Sequence, residues 1–127
     1  MGCLFCNSET MTVTGSNDLV YCVRDKYPVT LHHTLVIPYR HAETYFDLTQ
    51  EEVAACNALL FSQKEELQKI DSTITGFNIG MNAGADAGQT VMHCHIHLVP
   101  RRKGDMADPA GGVRGVIPEK QKYGEKL

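Results

Sequence analysis

One hundred and twenty-seven residues, 43% of them hydrophobic and 21% charged, fit one folded domain and exclude a disordered chain. A net charge of −3 argues against a general nucleic-acid binder, whose footprint is a basic excess. No apolar run reaches the ~20 residues that span a bilayer. The opening Met-Gly-Cys-Leu-Phe-Cys has neither a charged n-region nor a long apolar h-region, so no secretory signal is expected. The five cysteines are therefore expected as reduced thiols or metal ligands in a cytoplasmic setting.

The chain opens with Cys3-Leu4-Phe5-Cys6, which has the spacing of half a zinc site. Redox use of the pair stays open, although no βαβ pattern follows it. Leu19 to Val23 and Thr34 to Ile37 are short apolar or β-branched runs, closed by Arg24-Asp25 and by Pro38, and predict strands. Thr49 followed by Glu52 is a capping-box pattern. The helix it opens is predicted to run to about Ile70, with Val53, Cys56, Leu60, Leu67 and Ile70 inward and Lys64, Glu65 and Lys69 in water.

Past Asp71-Ser72 the apolar period changes to two. Phe77, Ile79 and Met81 predict a strand, and Ala83 to Gly88 a tight turn. Val91 to Val99 predicts a second strand stopped by Pro100, the two forming an antiparallel hairpin. The stretch from 104 to 127 is rich in Gly, Pro and charge, and is expected as an arm lying on another surface. Cys22, Cys56 and Cys94 fall on apolar periodic positions and are expected in the core.

The informative segment is His93-Cys94-His95-Ile96-His97. On a strand the three imidazoles would point one way, and Met92, Cys94, Ile96 and Leu98 the other. Half of the six histidines would share one polar face. At ~3.3 Å per residue His93 and His97 would lie about 13 Å apart, so three in line fit one ion poorly, whereas two neighbours could chelate. A row of donors also suits an extended phosphate chain. The central neutral imidazole would serve as nucleophile and the flanking donors would stabilise transition-state charge. Gly88-Gln89-Thr90, small and polar, could present N–H groups to the same anion.

The run from Asn82 through Gly88-Gln89-Thr90 to His93-Cys94-His95-Ile96-His97-Leu98-Val99 resembles the signature of the histidine triad (HIT) family. Asp25-Lys26-Tyr27-Pro28 and His33 to His41 resemble its other blocks, and the likeness covers about residues 3–103. The tail is similar to that of bacterial members labelled diadenosine polyphosphate hydrolases. The resemblance implies an α+β fold with a mainly antiparallel five-stranded sheet, one long helix packed on it, and sheets joined across a homodimer. It also implies cleavage at the α-phosphate of a nucleotide conjugate through a nucleotidyl-histidine on His95. His97 and Gln89, with Thr90, would contact the phosphates, with Asn82 in the same network. His33 would support the triad, Asp25 would bind ribose hydroxyls, and Phe5 would wall the base pocket. Some relatives carry the N-terminal cysteine pair together with histidines at the positions of His41 and His93. Cys3, Cys6, His41 and His93 would then hold a structural zinc, with no organic cofactor, His93 ending the triad row. Two departures stand out: His32 occupies a place where glycine is frequent, so the turn is expected to differ, and Lys26 and Val23 stand where apolar or aromatic base-pocket residues are common. A metal-dependent hydrolase built on a strand-borne His-x-His chelate, and a nucleotide-binding or zinc-stabilised module without activity, remain open alternatives.

Overall fold

The computed structural model describes residues 2–124; Met1 and positions 125–127, the end of the expected arm, lie outside the described residues. Five strands form one antiparallel sheet: β1 (Val13–Ser16), β2 (Val20–Arg24), β3 (Thr34–Pro38), β4 (Ile74–Gly80) and β5 (Ile96–Arg102), in the order β1-β2-β3-β5-β4. The long helix α1 (Gln50–Ile70) connects β3 to β4. This is the α+β architecture expected, with β4 at one edge of the sheet. No described helix is long and apolar enough to cross a membrane.

Helix α1 begins where the capping box placed it. The Thr49 hydroxyl accepts from the Glu52 N–H at 3.1 Å, and the Glu52 carboxylate accepts from the Thr49 N–H at 2.9 Å. Its buried face differs in part from the apolar stripe. Cys56 and Leu67 are buried, Val53 and Leu60 are half-buried, and Ile70 is 60% exposed; Glu52, Leu59 and Gln63 complete the inner face. The two polar insertions are matched. Gln63 accepts from Arg24 at 2.7 Å, and Glu52 takes a two-pronged bond from Arg40 at 2.8 and 3.0 Å.

The sheet is covered on both faces. Val20, Cys22, Val36 and Ile96 pack on Cys56 and Leu59 of α1. On the other face Tyr21, Val23, Leu35 and Ile37 pack under Phe5 of the N-terminal segment, whose carbonyl accepts from the Tyr21 hydroxyl at 2.5 Å.

The last strand departs from expectation at both ends. β5 begins at Ile96, not Val91, and residues 91–95 approach it through a bend. Met92 is consequently 41% exposed, whereas Cys94, Ile96 and Leu98 are buried as expected. Nor does Pro100 stop the strand; it pairs with Phe77 of β4, and β5 runs on to Arg102. The Pro100 carbonyl accepts from Thr30 at 2.6 Å, and a residue's N and C=O point the same way in a strand. Its missing N–H therefore faces the side where the β3 ladder has already ended at Thr34–Leu98, so no ladder bond is lost. Strand β1, absent from the sequence reading, is a short edge strand with an irregular register against β2. Beyond β5 the tail forms two 3-10 turns, Gly112–Val116 and Pro118–Lys120, the first of which packs on β4 of its own chain.

The Arg40 hydrogen bonds hold the buried Glu52 carboxyl down at about 2. The folded carboxyl thus titrates below the unfolded one, so its stabilisation is full above the unfolded value of ~4.3 and is lost as pH falls toward the folded value. Glu52→Gln should reduce unfolding stability in urea at pH 7 by about 1–2 kcal/mol. The gap to the unaltered protein should shrink steadily below pH 4.

Candidate active site

The bend before β5 turns the histidines to separate tasks. The Cys94 N–H donates to the Ala42 carbonyl at 2.7 Å, which anchors the bend. The ring of His95 lies 2.8 Å from the His93 carbonyl through Nδ1. A carbonyl only accepts, so Nδ1 carries a proton, and in the neutral ring the lone pair is on Nε2. Phe5 packs against the same ring, centroids 5.1 Å apart.

His97 lies on β5, opposite Leu35 of β3 and Gly80 of β4. Its Nδ1 is 2.9 Å from His33 Nε2, and His33 Nδ1 lies 3.0 Å from the Val29 backbone N–H. A backbone N–H only donates, so the His33 proton is on Nε2 and passes its bond to His97 Nδ1. The neutral His97 ring then carries its own proton on Nε2. Asp25 stands 3.5 Å from His33 Nε2. Burial pushes the pKa of both His33 and His97 down, and the Asp25 charge opposes this only in part; both rings are held toward their neutral forms.

His93 is fully buried and turned away from this pair. Its Nε2 donates to the Pro38 carbonyl at 2.7 Å, which leaves the Nδ1 lone pair facing Cys3 Sγ at 3.2 Å and Cys6 Sγ at 3.5 Å. His41 Nδ1 is 3.3 Å from Cys6 Sγ. The four donor atoms all lie within 4.8 Å of one another, and a soft two-sulfur, two-nitrogen set matches tetrahedral zinc. Asp25, His33 and His97 are equally close together. There, however, His33 presents an N–H rather than a lone pair, so the cluster is a hydrogen-bond relay.

A cavity of about 850 Å³ opens on the sheet face opposite α1, within the range of small-molecule sites. His95, His97, His33, Asp25, Asn82, Thr90 and Phe5 all line it, with Leu4, Met11, Val23 and Leu35 as its apolar wall. Lys26 lines it too. Of the residues expected in the sequence to form the histidine row or to contact nucleotide, Gln89 and His93 are missing from that lining; Cys3, Cys6 and His41, expected as metal ligands, also lie outside it. Gln89 is buried, and its amide is spent on the loop: it accepts from Gly84 N–H at 2.8 Å and donates to the carbonyls of Glu43 and Val91 at 2.6 and 3.1 Å. The phosphate contact expected of it has no free group to make it. Leu35 escaped notice, although alternation along β3 puts it on one face with His33. The Val29 amide could not be found from residue type, because its contribution is backbone.

A family model of the HIT domain matches residues 7–104. The chain belongs to the HIT family. It is 40% identical over 101 residues to the AP-4-A phosphorylase of Mycobacterium tuberculosis, covering 78% of this chain and 51% of the phosphorylase. It is 37% identical over 81 residues to the asymmetrical bis(5'-nucleosyl)-tetraphosphatase of Schizosaccharomyces pombe, 64% of this chain and 44% of that protein. The chain thus spans about half the length of either enzyme. A zinc-bound histidine triad protein from Mycobacterium smegmatis superposes with a TM-score of 0.77 at 34% identity, covering 85% of this chain and 81% of the other.

His32 precedes the relay with φ 74°, the left-handed backbone that glycine favours. The turn expected to differ therefore keeps a glycine-type conformation with a histidine in it. His32→Gly should raise stability by about 1 kcal/mol, measured as a higher Tm, without displacing the relay.

Proposed function

We propose that this HIT protein cleaves nucleotide conjugates at the α-phosphate through a nucleotidyl intermediate on His95. The observation that carries the reading is the bond from His95 Nδ1 to the His93 carbonyl, which leaves Nε2 free beside the cavity. Attack by Nε2 forms an N–P bond as the bond from phosphorus to the bridging oxygen of a polyphosphate, or to the nitrogen of a phosphoramidate, breaks. The leaving group departs with that atom and the electron pair, the nitrogen taking up protons to leave as ammonia. Water then adds to phosphorus, the N–P bond breaks, and nucleoside monophosphate leaves. The Nε2–H of His97 is a donor for the charge on the phosphoryl oxygens in both steps. Asp25 supplies acceptor oxygens for ribose hydroxyls, Phe5 and the apolar wall take the base, and Asn82 and Thr90 lie at the phosphate end. The names of the two enzymes above favour dinucleoside polyphosphates as substrates, with phosphoramidates as the smaller class.

Zinc on Cys3, Cys6, His41 and His93 has a structural role in this scheme. It would hold the segment whose carbonyl orients His95. The zinc-bound relative supports the assignment. A metal-dependent hydrolase is less well supported, because His97 offers its proton and not a lone pair toward the cavity. The open edge of β4 and its exposed Ile79 fit a homodimer joined sheet to sheet, and nucleotides rather than nucleic-acid polymers are the ligands.

His95→Ala should lower turnover of diadenosine tetraphosphate or adenosine phosphoramidate by about 10³-fold or more. An alkaline quench of the unaltered protein should trap an acid-labile nucleotidyl-histidine. Turnover within tenfold of the unaltered protein would rule out this nucleophile.

Cys6→Ser should lose bound zinc and lower Tm by several degrees, and brief EDTA treatment should leave turnover in place. Immediate loss of turnover on chelation, restored by added metal, would move the chemistry to an ion.

A further inference from the structure

A second cavity, about 660 Å³, lies between the β4–β5 end of the sheet and the C-terminal tail. It adjoins the first along the sheet, with one lining residue in common. His97, Val99 and Arg101 alternate onto one face of β5, opposite Gly80, Asn78 and Gly76 of β4. The first of these lines the active-site cavity and the next two line the second. Val29 lines both, so one loop residue divides them.

Its chemistry is distinct from that of a cation or anion site. Arg101 is held by both oxygens of Asp105 at 2.7 and 2.8 Å and by Asn78 at 2.8 Å, so its charge is already matched. What remains are apolar walls from Val29, Val99, Val113 and Val116, with an amide at either side. The Asn78 amide uses its oxygen on Arg101, and the Gln121 amide uses its nitrogen on the Ala110 carbonyl at 3.2 Å. Among the described residues the Asn78 nitrogen and the Gln121 oxygen have no hydrogen-bond partner. One donor and one acceptor over an apolar floor match the edge and faces of a nucleobase. Val113 and Val116, at 63% and 83% exposure, are uncovered on the tail.

We infer that this groove is the leaving-group subsite and takes the distal nucleoside of a dinucleoside polyphosphate. The inference rests on the His95 reading above, which places the reacting phosphorus in the first cavity. The polyphosphate then passes Val29 along β5, and the distal base settles between Val99 and the tail. The tail, expected to lie on another surface, thereby forms part of the substrate site of its own chain.

The test compares two substrates that share the attacked half: diadenosine tetraphosphate, which fills the groove, and adenosine phosphoramidate, whose leaving group is ammonia. Val116→Asp alters an exposed side chain, and its fold is checked by circular dichroism. The ratio of kcat/KM for the tetraphosphate to that for the phosphoramidate should fall about tenfold, carried by KM, while Val116→Ile keeps the ratio. An unchanged ratio overturns the subsite while the triad reading stands. An equal loss on both substrates, accompanied by a shift in sedimentation, assigns the face to a second copy of the chain and also overturns the subsite. Cleavage of neither substrate by the unaltered protein overturns the triad reading and the subsite with it.

Discussion

The bond from His95 Nδ1 to the His93 carbonyl, 2.8 Å long, is the constraint on which the site depends. An imidazole is a nucleophile only through the nitrogen that lacks a proton, and that nitrogen is chosen by what the other one touches. Here the chooser is a backbone carbonyl, which cannot reverse its role. The carbonyl is itself fixed because the His93 ring is held through Nε2 by Pro38, at the end of β3. Its other nitrogen faces the cysteine pair. A continuous strand from Val91 would leave the three imidazoles on one face, two residues apart, with backbone groups turned to the ladder. The bend ends that alternation, sending His93 inward and freeing its carbonyl for the neighbouring ring.

Two histidine clusters lie close to that bend, one with a cysteine pair and one with a carboxylate, and hydrogen-bond direction adds to ligand type in separating their chemistry. At His93 the carbonyl of Pro38 draws the proton outward and leaves a lone pair toward Cys3, Cys6 and His41. At His33 the Val29 amide occupies the lone pair and sends the proton toward His97. Distance alone ranks both as cation sites. The first has the electrons a metal needs, and the second has a proton where a metal would bind.

Much of this arrangement was legible in the sequence, for reasons that differ by element. Thr49 and Glu52 define the start of α1 because a capping box is local and needs no knowledge of the rest of the fold. The side chains that meet in the cavity were findable because chemistry-bearing residues are rare and their spacing is specific. The inner face of α1 was only partly findable: Glu52 and Gln63 are buried because Arg40 and Arg24 reach them from other elements, and no periodicity encodes a distant partner. Pro100 misled for the same reason. Its place in a strand depends on where β3 stops, which is a property of the sheet. The resemblance implies a phosphate contact from Gln89, yet its buried amide is taken up by backbone groups of Gly84, Val91 and the distant Glu43, partners that a local motif does not reveal.

The placement of the site follows from how the two faces of the sheet are covered. One face receives α1, a helix long enough to lie across the strands and seal them. The other receives only short pieces: the N-terminal segment over β2 and β3, anchored by Phe5, and the tail over β4. Neither piece extends to the other, and His97 stands at the join. The N-terminal cover is short, and among its described residues Phe5 is the single buried side chain, too little to hold it by apolar contacts alone. A metal on Cys3, Cys6, His41 and His93, as proposed, would supply the attachment that a larger core would otherwise provide. The same four side chains include His93, whose carbonyl orients the His95 ring, so the stability of that edge and the geometry of His95 are tied to one set of residues.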